Sequence, residues 1–204
     1  MKNKFFSPIA YWKKVKTMVA AGFLKLGIPM KVSIQIDGYN ILFVVSTFIE
    51  YYLRAQESYR REPITMDWIR TFVQPDDVVY DVGANVGAYS LLLGKVVSNG
   101  TGVIYSFEPE ALNCSALNKN IVLNGLTDKV VAYAIGLGDR TRVGSFFLSS
   151  TIAGSSLHSI DRPESDGQTF LSQHMQGVSI FSLNDFVRQP NIRFPNHIKI
   201  DVDG

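Results

Sequence analysis

Short apolar runs alternate with segments of helical periodicity over residues 75–204. The runs predict buried strands and the intervening segments predict helices. Strands that alternate with helices are typical of an α/β fold with a parallel sheet, and we take this region as the core. The predicted strands lie at residues 78–80, 102–107, 130–135 and 197–202, and the predicted helices between them at 88–93 and 112–123.

Residues 1–74 show a different pattern and predict an N-terminal appendage to this core. Apolar and polar residues alternate over residues 31–36, the turn Asp37-Gly38-Tyr39-Asn40 follows, and the apolar residues 41–45 resume as a strand, which predicts a β-hairpin. Helical spacing predicts one helix over residues 47–61 and a short one over 65–72 with Thr65 as its N-cap. An amphipathic helix at the start of the chain has an apolar face of Ile9, Trp12, Val15, Val19, Phe23 and Leu26.

The chain between the third and fourth core strands is less regular. Two further strands are predicted at residues 144–149 and 177–181, and a short helix at 183–187. Residues 150–176 are rich in Ser, Gly and Asp and have little periodicity. A connection of this length inside a compact domain is usually functional or mobile.

The first core strand leads into a glycine turn that predicts a ligand site. Val78-Val79-Tyr80-Asp81 is followed by Gly83-Ala84-Asn85-Val86-Gly87 and then by a helix. Glycine is needed where the backbone turns sharply or touches a ligand. The exposed N–H groups of the helix N-terminus favour an anionic group such as a carboxylate. The alternative is a sharp turn without a ligand.

An acidic residue after the second core strand points to a nucleoside. Glu108, which precedes Pro109, lies about twenty residues after Gly87, the spacing that a βαβ unit requires. At this position a carboxylate accepts hydrogen bonds from both ribose hydroxyls. Both S-adenosyl-L-methionine and a dinucleotide have a nucleoside at one end and a charged group beyond it.

The residues of the turn favour S-adenosyl-L-methionine. Asn85 replaces the middle glycine of the dinucleotide fingerprint, where backbone meets pyrophosphate. Asp81 would repel a pyrophosphate but can meet an α-ammonium group, directly or through water; its alternative role is to bond the amides of the turn. Gly136 and Leu137 follow the third strand, where the adenine edge would lie, and a plain loop is the alternative there.

Composition indicates one globular domain with an appendage. The chain has 204 residues, of which 46% are hydrophobic and 19% charged. A single cysteine, Cys114, excludes an intramolecular disulfide and suits a reducing compartment, so we expect a cytoplasmic protein. The three histidines, at positions 158, 174 and 197, share no ligand spacing with Cys114, which disfavours a structural zinc site.

Charge is unevenly distributed along the chain. The first 36 residues carry seven lysines and no acid, so the rest carries −5 of a total of +2. An acidic main body argues against a nucleic-acid partner. Lys13, Lys14 and Lys16 interrupt the apolar run of the first helix, which argues against a signal peptide or a membrane span. Two interpretations remain for residues 5–26: packing on the domain, or peripheral contact with an anionic membrane or a partner.

Several motifs occur in order along the chain: Asp81 to Gly87, Phe107-Glu108-Pro109, Asn120 to Leu126, Gly136-Leu137-Gly138-Asp139, and Ile198-Lys199-Ile200-Asp201-Val202-Asp203-Gly204. Together they resemble the FkbM family of S-adenosylmethionine-dependent methyltransferases. Glu62-Pro63-x-Thr65-x-x-Trp68 resembles the same family. Members usually carry Glu where this chain has Asp203, a change that keeps the charge.

The resemblance implies a Rossmann-like class I methyltransferase fold. Its parallel sheet would have the order 3-2-1-4, followed by later strands. The implied reaction is O-methylation of a hydroxyl on a sugar, glycan or secondary metabolite, with S-adenosyl-L-methionine as the methyl donor. The chain has no Asn-Pro-Pro-Tyr-like motif on the fourth strand and no second cysteine, which disfavours methylation of a nucleobase.

Two acidic residues mark the end of the fourth strand. Asp201 and Asp203 are two positions apart and therefore lie on one side of a strand. One interpretation is that they hold Mg²⁺, which prefers oxygen ligands and would bind the acceptor hydroxyl. Another is that Asp201 is the general base. His158, His174 and His197 are further candidates for the base, although each is more often a surface or capping residue.

No crossover helix follows the fourth strand. We therefore expect a fragment that lacks its C-terminal strands, with Ile198, Ile200 and Val202 on an open sheet edge. The leading hypothesis is a methyltransferase. The alternative is a non-catalytic nucleoside-binding module that docks at a membrane or partner through its basic helix.

Overall fold

An N-terminal helix and a hairpin open the fold. The structure is a computed structural model that describes residues 8–165 and 167–202. It begins with α1 (Pro8–Lys25), which is followed by strands β1 (Met30–Ile36) and β2 (Tyr39–Val45). Ile36 pairs with Tyr39, so the hairpin is confirmed with a tight turn of two residues, both at positive φ.

The predicted apolar face of α1 is only partly correct. Ala20 and Leu24 are buried against the core, whereas Val19, Phe23 and Leu26 are 51%, 44% and 76% exposed. The side chains of Ile9 and Trp12 lie outside the described ones. None of the described helices combines the length and the apolar character needed to cross a membrane.

Three helical segments follow the hairpin. The predicted helix over 47–61 is largely π-helical at Glu50–Glu57 and continues as α2 (Ser58–Arg61). Then comes α3 (Pro63–Phe72), which begins before the predicted N-cap. Pro63 occupies the first turn, where its missing N–H leaves no bond unmade. The prediction for Thr65 was therefore wrong: its Oγ1 donates to a carboxylate oxygen of Glu62 at 3.1 Å.

The remaining elements alternate as predicted over most of the core. They are β3 (Val78–Val82), α4 (Ala88–Val96), β4 (Val103–Phe107), α5 (Ala111–Leu123), β5 (Val130–Tyr133), β6 (Gly136–Gly138), β7 (Arg142–Leu148), β8 (Ser159–Ile160), β9 (Glu164–Ser165), β10 (Gln168–Thr169), β11 (His174–Ser182), α6 (Leu183–Val187) and β12 (His197–Ile200).

The core sheet has the predicted topology. Strands β12, β3, β4 and β5 pair in parallel in that order, which is the expected 3-2-1-4 read from the opposite edge. One face buries an aromatic cluster that includes Tyr80, Phe107 and Phe186 of α6. The other face packs on α4 and α5 through residues such as Leu91 and Leu117. This is the Rossmann-like α/β arrangement, in which the carboxyl ends of all four strands share one edge.

Four of the strands that follow β5 in the chain form a second sheet. Its order is β6-β11-β7-β8, with β11 antiparallel to β7 and parallel to β6. The connection over residues 150–176, predicted to have little regular structure, contains the short strands β8, β9 and β10. Phe146, Leu148, Val178 and Ile180 form the small core of this sheet.

The hairpin is bonded to the core by two asparagines of α5. Asn124 accepts from the N–H of Leu42 at 2.9 Å and donates to its carbonyl at 2.7 Å. Asn120 accepts from the N–H of Val44 at 2.8 Å and donates to the carbonyl of Val86 at 2.9 Å. These buried amides fix the appendage against the helix that follows β4.

Candidate active site

A cavity of about 300 Å³ opens at the carboxyl ends of the core strands. Most residues predicted to bind a cofactor line it, and Asp201 lines it as well. Asp81 and Gly87 are not among its lining residues. The predicted residues on its wall are Gly83, Ala84, Asn85, Glu108, Pro109, Gly136 and Leu137.

The two glycines of the turn have steric roles that differ from each other. Gly83 has a φ of 79°, and a Cβ there would lie 2.0 Å from the carbonyl oxygen of Asp201, so it permits β12 to approach the turn. Gly87 has a φ of 96°, and a Cβ there would lie 2.5 Å from Cδ1 of Leu117. Gly87 is thus placed for packing on α5, while Gly83 lies on the cavity wall.

Glu108 is buried at the end of β4 and not solvated, although it lines the cavity. Its Oε2 accepts from the N–H of Asn85 at 2.8 Å and its Oε1 from the N–H of Glu110 at 2.9 Å. Burial, partly offset by these bonds, raises the pKa of Glu108 to about 7. The side chain of Asn113 is a third donor to this carboxylate, whose two oxygens have about four acceptor sites in all, so capacity remains for a ligand hydroxyl.

Asp81 is placed behind the cavity. It is completely buried, and its Oδ2 accepts from Oγ of Ser90 at 2.6 Å, which in turn accepts from Oγ of Ser106 at 2.8 Å. Its Oδ1 lies 3.2 Å from Nζ of Lys199. Oδ1 has this ion pair but no hydrogen bond among the described residues, and Asp81 is not part of the cavity wall.

Lys199, which the sequence did not predict to have a role, lies beside the cavity and contacts its lining residue Asp201. It is 8% exposed, and its Nζ lies between Asp81 and Asp201, 3.3 Å from Oδ2 of the latter and 4.8 Å above the Tyr89 ring. Burial lowers the pKa of Lys199, but the two carboxylates raise it more, so it lies above its ordinary value. The signal was present in the alternation of β12, which places a lysine on the same face as the adjacent Asp81.

Asp201 lies at the mouth of the cavity. Its side chain is 55% exposed, and its N–H donates to the carbonyl of Val82 at 3.0 Å. Its predicted metal partner, Asp203, is outside the described residues. Within residues 8–165 and 167–202, no group of three or more His, Cys, Asp or Glu side chains could hold a metal ion. The ammonium of Lys199 beside Asp201 also disfavours a second cation, so the described residues do not fit Mg²⁺.

Further parts of the wall come from the N-terminal helices and from the connection after β7, which the sequence predicted to be functional or mobile. Arg54, Ser58 and Glu62 contribute from the N-terminal helices. The connection after β7 contributes its own polar residues. These are Ser155, Ser156, His158 and Ser159.

None of the three histidines is placed to act as a general base in the cavity. Nδ1 of His158 accepts from the N–H of Ser149 at 3.2 Å, so the neutral ring carries its proton on Nε2 and is a donor. His197 contacts Asp77 at 3.2 Å, away from the cavity wall. His174 lies at the exposed start of β11.

Comparison with known proteins identifies a family. The model of the methyltransferase FkbM domain matches residues 81–204, which is more than half of the chain. No curated protein shows a significant match to the chain.

Solved structures with the same kind of fold are distant. A putative rRNA methylase from Clostridium thermocellum is 23% identical over 36% of this chain and 39% of its own, with a TM-score of 0.35. A putative transferase from Pyrococcus horikoshii is 18% identical over 62% and 50%, with a TM-score of 0.40. A SAM-dependent O-methyltransferase from Thermotoga maritima is 17% identical over 53% and 43%, with a TM-score of 0.37. The chain spans half or less of each of these structures, and at such scores the likeness carries no functional conclusion.

Proposed function

Because the chain belongs to the FkbM methyltransferase domain family, we propose that its cavity binds S-adenosyl-L-methionine and that the protein methylates a hydroxyl group. One observation carries the proposal. The glycine turn after β3 and the carboxylate of Glu108 after β4 line one cavity and are joined by the Asn85 hydrogen bond of 2.8 Å. A turn and an acid at adjacent strand ends form a nucleoside site in folds of this type.

The order of the strands predicts which end of the donor lies near which strand. Gly136 and Leu137 beyond β5 would face adenine, Glu108 at β4 would accept the ribose hydroxyls, and the methionine end would pass Gly83 towards β12. The transferred methyl group would then approach Asp201. Because Asp81 is hydrogen-bonded to Ser90 and paired with Lys199, it would act on the donor only indirectly.

The transfer itself needs little covalent chemistry from the protein. The acceptor oxygen attacks the methyl carbon, the carbon–sulfur bond breaks, and S-adenosylhomocysteine leaves. The hydroxyl proton passes to the carboxylate of Asp201, the acid on the cavity wall beside Gly83. Alignment of oxygen, carbon and sulfur is the main contribution that the cavity makes. Mg²⁺ has no part in this proposal.

The acceptor we propose is a sugar, glycan or secondary metabolite. Serine hydroxyls, Arg54 and Glu62 on the wall can bond several hydroxyl groups at once. The net charge of −5 beyond residue 36 disfavours a nucleic acid. In this arrangement residues 1–74 are an appendage that adds one wall, and residues 75–204 form the donor-binding core.

A methyl-transfer assay tests this proposal. The chain is incubated with methyl-tritiated S-adenosylmethionine and panels of sugars, glycans, phenolic metabolites and RNA. The expected result is label in a hydroxyl-bearing small molecule together with an equal amount of S-adenosylhomocysteine. Label in RNA alone, or in a nitrogen atom, would contradict the acceptor assignment.

The surface of α1 supports a peripheral membrane contact as a second proposal. Lys16, Phe23 and Lys25 are exposed on α1, and the exposed Leu26 directly follows the helix. Lysines together with large apolar residues on one helix favour an anionic interface. The family match makes the alternative of a non-catalytic module the weaker one.

A further inference from the structure

Residues 150–160, here termed the strap, are held by side chains from three separate parts of the fold. Oγ1 of Thr47 donates to the carbonyl of Ala153 at 2.8 Å, and Nε of Arg54 donates to that of Gly154 at 2.7 Å. The N–H of Gly154 donates to Oδ1 of Asn113 at 2.7 Å. These bonds all reach the backbone of the strap, so they fix its path and not one side chain.

Two asparagine amides converge on one carbonyl of the strap. Nδ2 of Asn85 donates to the carbonyl oxygen of Ser155 at 2.9 Å, and Nδ2 of Asn113 donates to the same oxygen at 3.3 Å. A carbonyl oxygen has two lone pairs and can accept both bonds. Ser155 is therefore the point at which the strap is joined to the glycine turn and to α5.

Asn85 and Asn113 both bond Glu108 and the strap, but of the two only Asn85 lies on the glycine turn. Asn85 adopts a left-handed conformation with a φ of 51°, which asparagine tolerates well, and its own N–H donates to Glu108. One residue thus contacts both the carboxylate proposed to hold the ribose and the backbone of the strap. Its amide explains why the turn has Asn at this position, where a dinucleotide site has glycine.

The strap in turn forms a wall of the cavity. Ser156, His158 and Ser159 lie on it and line the cavity. A ligand group that fixes the turn at Asn85 also fixes this wall, because the Asn85 amide and the Ser155 carbonyl are directly bonded.

We infer that Asn85 is a positioning residue that couples donor binding to the acceptor wall. Donor bound at Glu108 holds the turn, the turn holds the strap through Ser155, and the strap places its polar side chains for the acceptor. Bound donor therefore stabilises the strap and, with it, the acceptor wall. This inference rests on the proposed donor site.

Hydrogen exchange of the full chain, measured by mass spectrometry with and without S-adenosylhomocysteine, tests the coupling. Asn85→Gly keeps the left-handed turn but removes the amide, and Asn85→Asp keeps an oxygen but has no N–H to donate. Asn118→Ala on the exposed side of α5 is the matched control. Unchanged exchange in β3 and β4 shows that each variant is folded.

Without ligand, we expect exchange in residues 153–158 to be about 2- to 12-fold faster in both Asn85 variants than in the parent and the control, as the loss of one hydrogen bond implies. With ligand, the parent and the control gain protection there, and the Asn85 variants gain protection only in the turn. Equal exchange in parent and variants without ligand, or equal ligand protection of the strap, would overturn the inference. If the parent does not bind S-adenosylhomocysteine, the donor assignment fails and the coupling fails with it, while the ligand-free comparison still decides whether Asn85 holds the strap.

Discussion

Glu108 joins the chemistry of the site to its stability at the scale of a single residue. Its carboxyl group is buried, has a pKa raised to about 7, and accepts two backbone hydrogen bonds. The Glu108 carboxyl group therefore becomes charged, as an acceptor for both ribose hydroxyls should be, only at neutral or higher pH. A solvated acid at the end of a strand would keep its ordinary pKa and would be charged well below neutral pH.

The raised pKa of Glu108 makes stability depend on pH. Its folded pKa lies above its ordinary value of 4.5, so its contribution to stability is fully present below that value and is lost as the pH rises through about 7. We expect Glu108→Gln to remove this dependence, with a difference of up to about 3 kcal/mol between the two ends of the range. Urea unfolding of parent and variant between pH 4 and 8 measures it. Parallel stability curves for the two proteins would show that Glu108 titrates normally.

The buried ammonium of Lys199 supports the same edge of the sheet. Lys199→Met leaves Asp81 buried without its cation, and breaking such a pair costs about 3–5 kcal/mol in unfolding free energy. We expect the double variant Asp81→Asn, Lys199→Met to recover most of this loss, and the exposed Lys119→Met to change little. Chemical unfolding compares the four proteins. A double variant no more stable than Lys199→Met would mean that the pair is not the source of the cost.

At the scale of elements, periodicity predicted most of the fold, and contacts between distant segments explain the rest. The strands β3, β4 and β12 and the ends of α5 follow from local patterns, because each is an apolar run or a helix closed by Asn124-Gly125. The strap has no such period; Thr47, Arg54 and the two asparagines hold it from elsewhere in the chain. The alternation of β12 gives the face of Lys199, but its burial against Asp81 follows only from the register of β12 with β3.

The helix α1 presents a basic and apolar surface whose role is open to a direct test. Lys16→Glu with Lys25→Glu reverses two exposed charges, and each lysine near an anionic membrane contributes about 1 kcal/mol. We therefore expect association with phosphatidylserine vesicles to weaken at least about tenfold in co-sedimentation. Lys119→Glu with Arg140→Glu makes the same change of net charge on other exposed positions. Equal loss in both pairs would indicate a general charge effect and assign α1 to packing alone.

At the scale of the whole molecule, the described part of the sheet ends at β12. Ile198, Ile200 and Val202 are 40%, 70% and 57% exposed there. An exposed apolar edge strand is a template for association. The 204-residue chain should therefore self-associate at micromolar concentration in sedimentation velocity, and Ile200→Lys should shift it towards the monomer. Ile64→Lys on α3, where Ile64 is 84% exposed, should leave the distribution unchanged. A monodisperse parent monomer would contradict this prediction.

The cavity is also a property of the whole molecule, since the appendage, the core sheet and the strap each supply one wall. Isothermal titration with S-adenosylhomocysteine at pH 8 tests the donor assignment most directly. We expect saturable binding that is tighter than binding of NAD. Glu108→Ala should weaken it by about 1.5–3 kcal/mol, as the loss of hydrogen bonds to a charged group implies, whereas the exposed Asp128→Ala should not. Absence of binding, tighter binding of NAD, or unchanged affinity in Glu108→Ala would contradict the account.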